Sequence, residues 1–273
     1  MRTGVRVGLA VTAGALLVGA GVWASARPSH ERAWRTEQAV LPEVTLTDRL
    51  ARVRHLRDFR YASADSFTVA YADRTYDLEK IERVWFVLSP FNPDWRGPAH
   101  SFLSFSFADS QFVSVSVEAR REVGEDYGIL KGALRAFELM VVVGDERDLV
   151  GLRAVTWNDP VYLYPVRATP AQARAMFVAL LRRAQDVARA PEFYNTLTNN
   201  CTTNIVDAVN ALATEPIPFS LDVLLPGYSD ELAYERGLID TELPLEEARA
   251  RYRINERAAV AASAPDFSFR IRD

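Results

Sequence analysis

"HSFLSFSFADSQFVSVSVE", residues 100 to 118, is the stretch whose reading decides the fold. In its first half Leu103, Phe105 and Phe107 alternate with His100, Ser104 and Ser106, with Phe102 as the exception. In its second half Val113, Val115 and Val117 alternate with Ser114, Ser116 and Glu118. A period of two belongs to strands, so the stretch reads as a hairpin turning at residues 108–110. Both apolar sets share a face only when the paired residue numbers have an even sum. A three-residue loop pairs Phe107 with Gln111 and, by extension, His100 with Glu118; a five-residue loop makes Glu118 a diagonal neighbour. In either register the carboxylate can accept a ring N–H from His100, fix its tautomer and stabilise the imidazolium. Alternate Ser and Glu also suit a sheet face open to water, the more ordinary reading of such a pattern.

Outward from the hairpin, "RHLRDFRY" (54–61), "SFTVAYA" (66–72) and "RVWFVLS" (83–89) read as earlier strands. "ELMVVVG" (138–144), "LRAVTW" (152–157) and "VYLYPV" (161–166) read as later ones, with "DERD" (145–148) as a turn. Thr169 is placed to cap a helix with Pro170 at its first position, running to Pro191. Strands cluster early and helices late, which predicts an α+β fold: an antiparallel sheet packed against helices. Three parts are expected. Residues 1–26 form a signal peptide or membrane anchor, 27–45 a linker, and 46–273 one domain.

The N-terminal part holds an uncharged stretch over residues 7–26, preceded by Arg2 and Arg6. At ~1.5 Å per residue it is long enough to cross a ~30 Å hydrocarbon layer. "ASA" at 24–26 has the form of a signal-peptidase site, whereas the span length favours an uncleaved anchor. Either way the body is expected outside the cytoplasm. A formal charge of −4, with only Lys80 and Lys131 as lysines, argues against a nucleic-acid partner. One cysteine and three scattered histidines supply no closed zinc site. No metal and no cofactor is expected.

The single cysteine lies in "FYNTLTNNCTTNIVDAVNAL" (193–212). Ile205, Val209 and Leu212 recur at helical spacing, and Cys201 lies four residues before Ile205 on the same face. The thiol is therefore expected at the start of a helix, pointing inward, with Asn199 or Asn200 as N-cap. Free amides and the positive end of the helix dipole favour a thiolate there, and the same amides can donate to an oxyanion. A small buried hydrophobe is the plainer reading of such a residue. A thiol nucleophile needs a base. His30 falls in the linker and His55 in the arginine-rich "RVRHLRDFR", which leaves His100, on the face shared with Glu118.

"GPAHSFLSFSF", "SVSVEARREVGEDY", "VVGDERDLVGLR", "VYLYP", "FYNTLTNNCTTNI" and "LLPGYSDELAYERGL" together resemble the Lnb-type periplasmic domain, the lipoprotein N-acyltransferase domain, from about residue 35 to the end. The resemblance implies a circularly permuted papain-like arrangement in which a histidine strand precedes a cysteine helix. It implies a Cys and His pair at Cys201 and His100, working outside the cytoplasm. Glu118 falls in the motif after the histidine, but its expected role as third member comes from the hairpin. Asn200 and Thr202 are the expected oxyanion or substrate contacts. The founding acyltransferases carry further membrane-embedded sequence that does not follow "PDFSFRIRD" here. The expectation is a thiol acyl-transfer enzyme working through a thioester on a lipid, lipoprotein or peptide substrate. It would stand at the membrane surface of the bacterial periplasm, tethered to the inner membrane by its N-terminal helix. The alternatives are a peptidoglycan peptidase or amidase with the same site, and a non-catalytic exported binding module.

Overall fold

The computed structural model describes residues 21, 25–92 and 94–273, so the expected signal or anchor lies outside the described residues. Among the described residues no helix is long and apolar enough to cross a membrane. The described residues form ten strands: β1 (Glu43–Leu46), β2 (Leu50–Arg57), β3 (Arg60–Ser63), β4 (Ser66–Thr68), β5 (Tyr71–Asp77), β6 (Ile81–Pro90), β7 (Ala99–Phe107), β8 (Phe112–Arg120), β9 (Glu138–Gly144) and β10 (Tyr162–Pro165). The main sheet runs β1-β2-β9-β8-β7-β6-β10, with β5 also paired to β2, while β3 and β4 form a separate hairpin. Its pairings are antiparallel except for one parallel contact between Arg57 of β2 and Gly144 of β9.

Nine helices are labelled along the described chain: α1 (Ile129–Ala133), α2 (Glu146–Gly151), α3 (Pro170–Arg189), α4 (Cys201–Asn210), α5 (Leu221–Leu224), α6 (Ser229–Glu235), α7 (Leu245–Tyr252), α8 (Asn255–Ala261) and α9 (Phe267–Arg270). The capping box that Thr169 forms with Gln172 starts α3, with proline in its first turn. Phe177, Leu180 and Leu181 of α3 and Ile205 and Ala208 of α4 share one core with Leu103, Phe105, Phe107, Val113, Val115 and Val117. That is the odd-numbered face of the central hairpin. The even-numbered face is closed as well. Phe102 joins Trp85, Val87, Met140 and Val142 in a second core, capped by Leu149 and Val150 of α2, Ala258 and Ala261 of α8, and Phe267 of α9. Ser104, Ser106, Ser114 and Ser116 are therefore buried, not solvated. Phe102, the exception in the alternation, marks the face that those helices cover.

Two local readings are corrected. Residues 145–148 are not a turn: the Asp145 side chain accepts from the Arg147 amide and caps α2. "LRAVTW" is not a strand, because α2 runs on into a π-helical turn, Leu152–Thr156, closed by the Trp157 amide on the Leu152 carbonyl at 2.8 Å. The alternation of Leu152 and Ala154 imitates a strand. The carboxylates of α2 hold it against the sheet. Asp148 accepts from Arg57 at 2.9 and 3.0 Å and from the Phe59 amide at 2.8 Å, all buried. Glu146 accepts from Ser104 and pairs with Arg272. The expected linker is also structured, since it carries a 3-10 turn, Thr36–Gln38, and strand β1.

Removing one partner of a buried ion pair strands the other in a dry environment. Asp148→Ala, which also takes the acceptor from Phe59, is expected to lower stability by about 3–5 kcal/mol, measured by urea unfolding.

Candidate active site

The asparagines and threonines around the cysteine build the start of α4. Asn200 is the N-cap: its side-chain oxygen accepts from the Thr203 amide at 2.9 Å, while the Thr203 hydroxyl accepts from the Asn200 amide at 2.8 Å. The Asn200 side-chain NH2 group is spent on the Thr196 carbonyl at 2.6 Å. Arg183 of α3 reaches Asn199, Asn204 and Glu192, tying the approach loop to the long helix. The amides of Cys201 and Thr202 have no acceptor among the described residues, as the first turn of a helix requires unless something caps them.

The strand side of the site comes from a fork in the sheet. Strands β7 and β8 pair in the register of the three-residue loop, with Leu103 opposite Val115 and Phe105 opposite Val113, but their pairing stops at Leu103. Beyond it β7 stays with β6, placing His100 opposite Ser89, and β8 stays with β9, placing Glu118 opposite Met140. Gln38 fills the gap beside β8, donating to the Ala119 carbonyl at 3.0 Å and accepting from the Arg121 amide at 2.8 Å. The direct His100 to Glu118 hydrogen bond expected from the hairpin is not made. The two stand 3.7 Å apart with Ser116 between them. The Ser116 hydroxyl lies 2.6 Å from His100 Nε2 and donates to Glu118 Oε1 at 3.1 Å. A hydroxyl has one proton, so His100 Nε2 must be the donor to Ser116. Nδ1 then carries the lone pair and has no hydrogen-bond partner among the described residues.

Helix and fork meet in a cleft of about 210 Å³, lined by Cys201, His100, Glu118, Arg153, Tyr194 and Gln38 among others. A buried hydrogen bond of 2.9 Å between Ser101 and Thr202, the residues following His100 and Cys201, fixes this approach. No hydrogen bond joins the sulfur to the imidazole among the described residues; the sulfur's polar neighbour is the Thr202 hydroxyl at 3.8 Å. Neither side chain expected at an oxyanion lines the cleft. Thr202 faces an apolar cavity of about 70 Å³ behind α4, and Asn200 lines a recess beside the cleft. What α4 presents is its free main-chain amides. The "PFNPDWRGPAH" loop is clamped: Arg96 bonds to the buried Asp230 at 2.6 Å, and the Gly227 amide bonds to the Gly97 carbonyl at 3.1 Å. A Cβ at Gly227 would fall 1.2 Å from the Arg96 carbonyl oxygen, so only glycine fits there.

The profile of the Lnb N-terminal periplasmic domain matches residues 67–227, more than half of the chain, and takes in the histidine strand, the fork and the cysteine helix. The chain belongs to the Lnb N-terminal periplasmic domain family. No curated protein and no solved structure matches it. Membership in a periplasmic domain family gives this Lnb domain an extracytoplasmic role.

Two residues of the Lnb cleft escaped sequence reading. Ser116 looked like one of several alternating serines, and nothing in the pattern singles it out. Arg153 was lost with the mistaken strand. The π-helical turn carries it into the cleft, where it is buried beneath Trp157, its guanidinium 5.0 Å from the ring centre, and 3.4 Å from Glu118. Nothing in the sequence marks a π-helical turn, though such turns are frequent at functional positions. Burial, then the Arg153 charge, pull the His100 pKa down to about 3 against the opposing pull of Glu118. Burial disfavours the Glu118 carboxylate, but His100, Arg153, Arg57 and the Ser116 hydroxyl outweigh it and hold the carboxyl below its usual range. With His100 neutral near pH 7, Arg153 and Arg57 are the cations that keep Glu118 ionised.

The domain has only three histidines, so nitrogen-15 NMR can follow His100 directly. Its imidazole is expected to stay neutral, protonated at Nε2, well below pH 6.5. In Arg153→Gln, loss of the repelling cation is expected to move its titration upward.

Proposed function

We propose that this Lnb domain is a thiol acyl-transfer enzyme of the permuted papain-like type, with Cys201 as nucleophile and His100 as base. The observation that carries the reading is the shared cleft, in which His100 commits Nε2 to Ser116, which in turn donates to Glu118, and keeps Nδ1 open to receive a proton. Nδ1 takes the thiol proton as the sulfur attacks a substrate carbonyl carbon. The carbonyl oxygen becomes an oxyanion facing the amides of Cys201 and Thr202, which need an acceptor. As the tetrahedral species collapses, the carbon–oxygen or carbon–nitrogen bond breaks, and the imidazolium gives its proton to the leaving alcohol or amine. A thioester on Cys201 remains. In the second half His100 deprotonates an incoming amine or water, which attacks the thioester carbonyl, and the sulfur leaves as thiolate and recovers the proton. Glu118, through Ser116, steadies the imidazolium in both halves.

With a lipoprotein α-amine as acceptor this chemistry is N-acylation, and with water it is hydrolysis. Supporting an acyl group as the transferred unit is the recess that opens from the cleft past Phe91, Ala99, Tyr127 and Tyr194 and is walled by Ile129, Leu225 and Pro226. A peptidoglycan amidase is the second reading, favoured by the fixed cations Arg121 and Arg153 in the cleft, which suit peptide carboxylates.

Incubation with diacyl phospholipid is expected to leave an acyl adduct on Cys201, detected by mass spectrometry and discharged by a lipopeptide with a free α-amine. His100→Ala is expected to slow adduct formation about 10²- to 10⁴-fold. Equal, slow acylation of the parent and His100→Ala by a reactive probe would instead leave Cys201 as a packing residue and the domain as a binding module.

A further inference from the structure

The mouth of the apolar recess carries side chains that a water-facing surface does not call for. Phe91, Ile129 and Leu225 line the recess and are 44%, 47% and 37% exposed. Beside them Leu130 on α1 and Leu134, its C-cap, stand 72% and 57% exposed. The Thr196 hydroxyl on the Ile129 carbonyl at 2.9 Å and the Asn195 amide group on the Ala133 carbonyl at 3.3 Å hold the next loop against α1, and it adds Leu197 at 48% exposure. Scattered apolar residues on a surface need no explanation, but a contiguous rim around a pocket mouth marks an interaction surface.

Where the chain enters the domain says what faces that rim. The Ser29 amide donates to Glu138 at 3.2 Å and Arg32 pairs with the same carboxylate at 2.7 Å. Glu138 is bridged to Phe193, against which Arg135 stacks immediately after α1. The described chain therefore enters the domain near the end of α1, and residues 7–26, an uncharged run long enough to cross a bilayer, precede that entry by only a few residues.

We propose that the rim formed by α1, Leu197, Phe91 and Leu225 docks on a lipid bilayer surface, so that an acyl chain passes from the membrane into the recess without crossing water. Six apolar side chains resting in the interfacial layer need enter only ~5–10 Å, the depth usual for surface-bound amphipathic segments. The identity of the cargo rests on the acyl-transfer reading; the docking itself does not.

The test uses the full chain with Cys201→Ala, to leave one label site, and Leu130→Cys carrying an environment-sensitive dye. Val260, 80% exposed on α8 over the second core, provides the matching control as Val260→Cys. In phosphatidylcholine vesicles the dye at position 130 is expected to shift to the blue and to be quenched by nitroxide-bearing lipid, while that at 260 stays accessible to iodide. Iodide access at 130 in the presence of vesicles overturns the proposal. So does shielding from both quenchers, which would mean that residues 7–26 or a second copy covers the rim. Because Cys201 is absent throughout, the result is independent of whether the thiol acylates.

Discussion

Two hydroxyls, Ser101 on β7 and Thr202 on α4, set the relation on which the site depends. Both are buried, and they are 2.9 Å apart. A buried hydroxyl deprived of its partner costs about 1–3 kcal/mol, so a slide of the helix along the strand is opposed twice over. Each hydroxyl follows directly on the residue that faces the cleft. The cysteine and histidine, a hundred residues apart in sequence, are therefore held by their neighbours in the chain, and neither needs to touch the other in the resting protein. Apo sites with such loose geometry are common, the tight contact forming only when substrate arrives.

Around that contact the charges are arranged in depth. The carboxylates of α2 are taken up by Arg57, Arg272 and Ser104, which anchors the helix and hence the π-helical turn that follows. The turn delivers Arg153 to Glu118, and Glu118 meets His100 through Ser116. Backbone irregularity and electrostatics thus serve one end. The irregular turn puts a cation deep in the cleft, where burial and then its charge lower the imidazole's affinity for protons and hold His100 neutral.

The shared apolar face of the hairpin, the capped helix after Thr169, an asparagine cap before the cysteine and the inward thiol could be read from spacing, because each follows from local periodicity or from a cap with its own residue preference; the hairpin's loop length and the choice between Asn199 and Asn200 could not. The fork could not. It depends on β6 and β9 competing for the two halves of the hairpin, a tertiary matter that no period of two encodes. The closed even-numbered face was hidden for a similar reason. Serines that look solvated in sequence are buried when helices from the far end of the chain fold over them, and only Phe102 hinted at it. Asn200 and Thr202, expected at an oxyanion, spend their side chains elsewhere: Asn200 caps α4 and Thr202 bonds to Ser101.

Gln38, within a stretch that reads as a linker, completes the fork by standing in for the strand that β7 ceases to provide. Together with Arg57 and Arg272 it lies outside residues 67–227, over which kinship can be recognised. The segment that records descent is therefore shorter than the segment that must fold as one body. Cut out alone, it would lack a wall of its own cleft and the counter-ions of its own interior.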